Sequence, residues 1–525
     1  MWADVYDVFG AGLSMEQWVT VIDETYDGRR SDVIAHVDRR AKTEFDAIFL
    51  GGGSAGRFGA SVVRSLGGRA LVIDRWPFLG GSCPHQACVP HHLFSEAARE
   101  LDQARALAGR LWYPSFDPGA SSILELVDLF RAKRSGPHAH MNWQSAEQLG
   151  IEYLLNAPAM VIDAHTVEAA GERYRTRNLV LGTGSRARRL GIEGEDLAGV
   201  FDYASLIEDL DYEPQRIVVI GGSKVAVEYG SFFRSMGCPT TIVSRSAVLS
   251  SGSPGRMDDD LRDYVVTGMR QRDLSILEDS TVQRIVGDTR VRGVDVVTPD
   301  GERHLEADFV LVGAGEVPNT ESFDPALDLA RDPLGWILVD EQMRTSLPGV
   351  YAVGDLVGPP MEMFKSRRSG ATAARNIMGL ETRLDVSDYP DFLHTTYEVS
   401  WAGLGERQAR ERLRSVVTIQ VPPPELSPHE TPLPMAEGSM IYGFTMPERT
   451  GFQKCVIDAE SRRVVGIHHA GHGAKNAFSY LHHLMTRPEG FTIDELGNLN
   501  ELYISPEYFI GYARLRSSQA DLAGM

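Results

Sequence analysis

Cysteine is scarce in this chain, with four in 525 residues, too few for the disulfide framework of a small extracellular protein. Long apolar runs are missing too. There is no uninterrupted apolar stretch of membrane-spanning length and no cleavable signal pattern, so a soluble, cytoplasmic protein is expected. Positive charge is in deficit: 52 Lys and Arg against 72 Asp and Glu give a net charge of −20. That balance argues against nucleic acid and anionic membranes as general partners, but it leaves room for local basic pockets that hold anionic cofactors. Histidine is absent after His483, so the end of the chain has no imidazole to act as acid or base. What the chain does have is size and apolar content. At 525 residues and 43% hydrophobic composition it can build three or four domains with real cores.

Two of the cysteines fall together. Residues 80–90 read GGSCPHQACVP, with Cys83 and Cys88 five apart, after a predicted strand ending at Asp74. The four residues between them are too many for a thioredoxin-type C-x-x-C pair. The spacing predicts one turn of helix with both sulfurs toward the same neighbour. A redox disulfide beside a cofactor would look like this; two buried small hydrophobes or half of a zinc site are the other readings. Zinc is disfavoured because Cys238 and Cys455 are isolated and distant in sequence, so no metal is expected.

Two dinucleotide-binding signatures stand apart along the chain. The first is a predicted strand over 45–50 running into GGGSAGRFG, with Gly51, Gly53 and Gly56 in G-x-G-x-x-G register and Asp74 closing the next strand, ALVID. Glycine at those places lets the backbone approach a pyrophosphate at a helix N-terminus. The second is RIVVI at 216–220 followed by GGSKVAVEYG, where Gly221 and Gly222 hold the turn, Ser223 replaces the second fingerprint glycine and Ala226 takes the third position. Its next strand, TTIVSRS at 240–246, ends in Ser244 and Arg245 where an NAD site would place an acid. A cation there suits a 2′-phosphate, which favours NADPH over NADH.

Two further buried strands complete the pattern. DFVLVGAGEVPNT at 308–320 leads into a glycine turn through Gly315, and VYAVGDL at 350–356 delivers Asp355 where its carboxylate could meet a flavin. With both nucleotide signatures and the cysteine pair, residues 45–515 resemble the pyridine nucleotide-disulfide oxidoreductases. The resemblance implies an α/β, glutathione reductase-like fold: two Rossmann-type nucleotide-binding domains and an α+β C-terminal dimerisation domain. FAD and NADPH are the implied cofactors and a homodimer the implied assembly. The domains are expected at 45–195 and 326–388 for FAD, 196–325 for NADPH and 389–525 for dimerisation, with 1–44 as an extension whose segment MEQWVTVIDETY has helical spacing. The crossover LVLGTGSRARRLGIEG at 179–194 matches the family's exit from the first FAD segment, and the proline-rich stretch 421–434 reads as a loop inside the last domain. Cofactor contacts are implied for Gly51, Gly53, Gly56, Asp74, Gly221, Gly222, Ser223, Glu228, Arg245, Gly315 and Asp355.

Within the family, DRWPFLGGSCPHQACVPHHLFSEAA, PMEMFKSRRSG, YPDFLHTTYEVS and ELYISPEYFI resemble the carboxylating branch, the 2-ketopropyl coenzyme M oxidoreductase/carboxylases. The generic family carries a lysine two residues past the proline of the cysteine motif; here His91 and His92 follow Pro90, as in the carboxylating branch. The implied chemistry is reductive thioether cleavage. Cys88 is the thiolate nearest the flavin, Cys83 attacks the substrate sulfur, and the acetone enolate that leaves traps CO2 as acetoacetate. Arg57 and Arg367 match the sulfonate-binding arginines and Met363 a pocket methionine, while His85 and His92 could orient water or the enolate or merely cap a helix. At the C-terminus this chain departs from the pattern. The His and Glu dyad of ordinary disulfide reductases becomes Phe and His in the carboxylating branch, and Tyr503 and Tyr508 stand at those positions here. A non-carboxylating disulfide or thioether reductase acting on another small anionic substrate is the alternative.

Overall fold

The computed structural model describes residues 33–38, 44–110, 114–115, 121–250, 257–324, 327–395, 398–421 and 451–498, and the architecture is that of these residues. The first sheet is made of β1 (Ile34–His36), β2 (Phe45–Leu50), β3 (Ala70–Ile73), β4 (Glu152–Leu155), β5 (Ala159–Asp163), β6 (Thr166–Ala169) and β7 (Glu172–Leu181). Their order is β1-β4-β3-β2-β7-β6-β5. β2 and β3 read FDAIFL and ALVI and are buried almost throughout, the pattern of parallel strands covered on both faces. β4, β3, β2 and β7 do run parallel. β1 joins antiparallel to β4, so part of the N-terminal extension is an edge strand of this sheet; the helical arm expected over 15–26 lies outside the described residues.

A second sheet repeats the pattern. It contains β8 (Val200–Phe201), β9 (Ile217–Ile220), β10 (Thr240–Val243), β11 (Ser275–Leu277) and β12 (Phe309–Val312), all parallel, in the order β11-β10-β9-β12-β8. The chain then returns to the first sheet, where β13 (Val350–Ala352) pairs in parallel with the end of β7. The last sheet is antiparallel: β14 (Asp391–His394), β15 (Glu398–Gly403), β16 (Val416–Val421), β17 (Phe452–Asp458) and β18 (Val464–Ala470), in the order β14-β15-β18-β17-β16. The proline-rich loop beyond Val421 falls outside the described residues.

Five helices position the site: α1 (Ser54–Ser65), α2 (Ser82–His85), α3 (Cys88–Leu107), α4 (Lys224–Ser235) and α5 (Met363–Ile377). α1 and α5 meet almost backbone to backbone, since a Cβ on Gly370 would lie 2.0 Å from the Ala55 carbonyl oxygen. No side chain fits there. On α3, Phe94 is fully buried and stacks on Phe232 of α4 with ring centroids 5.0 Å apart. Each such ring contributes roughly 1.5–3 kcal/mol by burial, and the pair ties the cysteine-bearing helix to the second nucleotide-binding unit. Among the described residues no helix is long and apolar enough to cross a membrane.

Candidate active site

Both glycine signatures form what their sequence predicts locally. After β2 the chain turns at Gly51 with φ 106°, a conformation that L side chains disfavour. Gly56 then packs so closely that a Cβ there would lie 2.0 Å from the Gly51 carbonyl oxygen. α1 starts on this turn with Gly53 as its N-cap and no side chain bonded to its first N–H groups. Those free donors, with the helix dipole behind them, fit a pyrophosphate. Asp74 is buried at the end of β3 and accepts hydrogen bonds from the backbone N–H of Gly52 at 2.6 Å and of Trp76 at 2.9 Å. It braces the glycine loop, and burial pushes its carboxyl up despite both bonds.

Asp355 lies just past β13 in the turn Gly354–Val357 and accepts from Ser366 Oγ at 3.2 Å. Burial raises its pKa, opposed by the charge of Lys365. Lys365 is itself buried, with Nζ bonded to the Gly358 carbonyl oxygen; burial lowers its pKa to about 8, against the pull of Asp355 and Glu316. The uncapped helix, the glycine cradle and the buried carboxyls of Asp74 and Asp355 together suit a flavin dinucleotide.

The second signature mirrors the first. Gly221 has φ 143°, and Ser223 stands as the N-cap of α4 without a side-chain cap bond. Gly222 packs on Ser244, whose Oγ would lie 2.2 Å from an added Cβ. Arg245 is exposed just beyond β10. Gly315 has φ 96° and faces open space where a side chain would project. Glu228 is occupied by protein partners: Oε1 accepts from the His394 backbone N–H at 2.6 Å, and Oε2 lies 3.5 Å from Nε2 of His91. Burial lifts its carboxyl to about 7, partly offset by Lys224. Burial and the same lysine lower His91 to about 4. The pair is therefore a polar contact of a neutral imidazole with a readily protonated acid, not an ion pair. Burial alone would lower Lys224, but Glu362, Asp391 and Glu228 outweigh it and hold the ammonium charged. Its Nζ bonds Glu362 at 2.8 Å and also Asp391, which links α4 to the start of α5 and to β14.

The cysteine pair corrects one expectation. Cys83 and Cys88 do not share a single helical turn; Cys83 lies in α2, Cys88 opens α3, and Gln86 and Ala87 break the helix between them. On one continuous helix, side chains five apart would point about 140° away from each other. The break removes that obstacle. The Cys88 thiol donates to the Cys83 sulfur, and this bond first, then the charge of Arg367, holds Cys83 below the ordinary thiol range against the opposing effect of burial. The same bond, burial and the nearby carboxylates push Cys88 well up. Cys83 is therefore the readier thiolate.

Arg57 on α1 and Arg367 on α5 come together because their helices do. Burial and the charge of Arg367 both lower the pKa of Arg57. Arg57 Nε donates to Ser145 Oγ at 2.8 Å and Nη2 to Gln144 Oε1. The Arg367 guanidinium lies 4.8 Å above the ring of Phe58. Among the described residues neither arginine has a carboxylate within ion-pair distance. Met363 opens α5 with 42% of its surface exposed. His85 closes α2, with its ring 4.5 Å from Phe78 and Nε2 3.3 Å from Glu208 Oε1, while His92 packs at 3.9 Å on His394. Tyr503 and Tyr508 lie outside the described residues.

Lys365, Gln144 and Ser145 are site residues that sequence reasoning misses. Lys365 does leave a signal, since it falls on the buried stripe of α5 with Ser369 and Thr372, where a charge needs a partner. Gln144 and Ser145 leave none.

Comparison with known proteins gives a consistent result. Residues 45–376 match the family model described as pyridine nucleotide-disulphide oxidoreductase, and residues 389–499 match its dimerisation domain. A mercuric reductase of Staphylococcus aureus is 25% identical over 443 residues, covering 82% of this chain and 75% of that protein. A dihydrolipoyl dehydrogenase of Cupriavidus necator is 25% identical over 455 residues, covering 81% and 88%. Among solved structures, the HOCl-induced flavoprotein disulfide reductase RclA of Escherichia coli superposes with a TM-score of 0.72 at 20% identity, over 88% of this chain and 98% of that one.

Proposed function

Because this chain belongs to the pyridine nucleotide-disulphide oxidoreductase family, with its glutathione reductase-like fold and its use of FAD and NAD(P)H, we propose an NADPH-dependent reaction that ends on a small anionic thioether, 2-ketopropyl coenzyme M. The dimerisation domain points to a homodimer. The observation that supports the substrate reading is the pairing of Arg57 with Arg367, whose charge also acts on Cys83. Two guanidiniums brought together without a carboxylate partner among the described residues are costly unless an anion joins them, and a sulfonate would meet that need.

The α1 turn, Asp74 and Asp355 would hold FAD, which when bound would supply the passage of two electrons from a nicotinamide to the Cys83–Cys88 pair. Arg245 would select NADPH by pairing with its 2′-phosphate. Arg57 and Arg367 hold the sulfonate so that the substrate sulfur meets Cys83, with Met363 lining the approach. The Cys83 thiolate attacks that sulfur, an S–S bond forms, and the C–S bond breaks with its electron pair leaving on carbon as the acetone enolate. The enolate adds to CO2 to give acetoacetate. Cys88 then attacks Cys83, expels the coenzyme M thiolate and restores the disulfide, so the two electrons taken from NADPH end on the substrate.

Tyr503 and Tyr508 favour a second reading at the enolate. A tyrosine hydroxyl can donate a proton where phenylalanine cannot, and the product would then be acetone. Both outcomes share every step up to C–S cleavage. Incubation of the FAD-loaded enzyme with NADPH, bicarbonate and 2-ketopropyl coenzyme M separates them: acetoacetate supports carboxylation, and acetone supports the reductase. If NADPH is not consumed, the thioether reading falls.

A further inference from the structure

The Arg57 guanidinium is held by groups that take no part in thioether cleavage. Residues 144–148 form a single π-helical turn, Gln144–Gln148, in which Leu149 N–H bonds to the Gln144 carbonyl oxygen at 3.0 Å and Ile151 N–H to that of Ser145 at 2.8 Å. Isolated π turns inside helices are uncommon and recur at functional sites. Here two consecutive side chains, Gln144 and Ser145, meet one guanidinium. Ser145 is fully buried; its hydroxyl accepts from Arg57 Nε and donates to the Met141 carbonyl oxygen at 2.6 Å, so its orientation is fixed. Gln144 Oε1 takes Nη2.

Both partners are neutral, which matters for an anion site. An arginine offers an Nε–H and Nη2–H fork along one edge and further hydrogens at its Nη1 end. A carboxylate on the fork would fix the geometry equally well, but it would cancel the charge. Ser145 and Gln144 fix the fork without cancelling it, and they leave the Nη1 end, fully cationic, for a ligand. Arg367 is treated the same way, since its contact is the face of Phe58 and not an acid. The cost of bringing two such cations together is then relieved by the ligand.

We propose that Gln144 and Ser145 are positioning residues for anion recognition, setting Arg57 for the negatively charged head of the substrate while preserving its charge. The inference rests on the proposed sulfonate-bearing substrate. The test uses the FAD-loaded enzyme reduced with NADPH, with the rate of Cys83 alkylation by iodoacetamide as readout. Ethanesulfonate is the protecting anion and ethyl methyl sulfone its uncharged control. Gln144→Leu and Ser145→Ala are each expected to weaken protection by ethanesulfonate about tenfold, with the control unchanged. Gln144→Glu retains the hydrogen bond and supplies a carboxylate, so it should also weaken protection; improved or unchanged protection in Gln144→Glu contradicts the requirement for neutral partners. Arg57→Met separates the two levels of the argument. If Arg57→Met abolishes protection and the Gln144 and Ser145 variants behave as wild type, the positioning role is wrong and the arginine site stands. If Arg57→Met has no effect, the arginine site itself is wrong and the positioning role falls with it. Flavin content serves as the folding control, and Gln144→Leu and Gln144→Glu decide the outcome should buried Ser145→Ala fail to fold.

Discussion

Glu228 should carry a proton near neutral pH, and the consequence for stability can be worked out. Its carboxyl has an ordinary pKa of 4.5 and a folded-state value of about 7, raised by burial and only partly offset by Lys224. Between those two values the folded protein retains a proton that the unfolded chain has released. The unfolding free energy therefore falls as pH rises through this window, by about 3 kcal/mol in all, and is flat above it. His91, at about 4, stays neutral over most of the same range. Glu228→Gln removes the titrating proton but keeps an oxygen to accept from the His394 N–H. Denaturation midpoints of FAD-loaded wild type and variant, measured from below pH 4.5 to above pH 7, give a difference in which other titrating groups cancel. The variant should gain on wild type as pH rises through the window and then level off. A difference independent of pH, or a variant that loses ground as pH rises, would show instead that Glu228 is ionised as the partner of Lys224.

Iodoacetamide should modify Cys83 before Cys88 in the reduced protein, with an apparent pKa below that of an ordinary thiol; Arg367→Met should move the pH profile upward, and first modification at Cys88 contradicts the assignment. Arg245→Glu should weaken NADPH by roughly ten- to a hundredfold, the loss of a charge-paired contact worth about 1.5–3 kcal/mol, with little change for NADH; equal loss of both removes the 2′-phosphate contact. Gly56→Ala places a Cβ 2.0 Å from the Gly51 carbonyl oxygen, so the purified variant should lack FAD by flavin absorbance, and full flavin content would show that the turn yields.

The elements most legible in the sequence are those with short-range causes. The runs FDAIFL, ALVI and IVVI give buried parallel strands, and glycine immediately after β2 and β9 gives the turns, because periodicity and backbone sterics act within a few residues. The helix break at Gln86 and Ala87 is not legible, since helix spacing alone predicts one turn; contact between the sulfurs needs the interruption. The meeting of Arg57 with Arg367 depends on α1 packing against α5, some three hundred residues further along the chain. The fork on Arg57 comes from a π turn some ninety residues downstream, about which local propensity says nothing. Glu228 is expected at the cofactor from its place in the second signature, yet its partners are His91 and His394, on elements far away in sequence. Long-range partners of buried charges are what a single sequence hides.

In the proposed reaction Cys83, under the charge of Arg367, attacks the sulfur of a small sulfonated thioether. Its most direct test is mass spectrometry of enzyme reduced with NADPH, mixed with 2-ketopropyl coenzyme M and quenched with acid during turnover. A 2-mercaptoethanesulfonate disulfide is expected on the peptide bearing Cys83, accumulating when Cys88 is replaced by alanine so that Cys83 can no longer be released. An adduct on Cys88, or no adduct in wild type and Cys88→Ala alike, would contradict it.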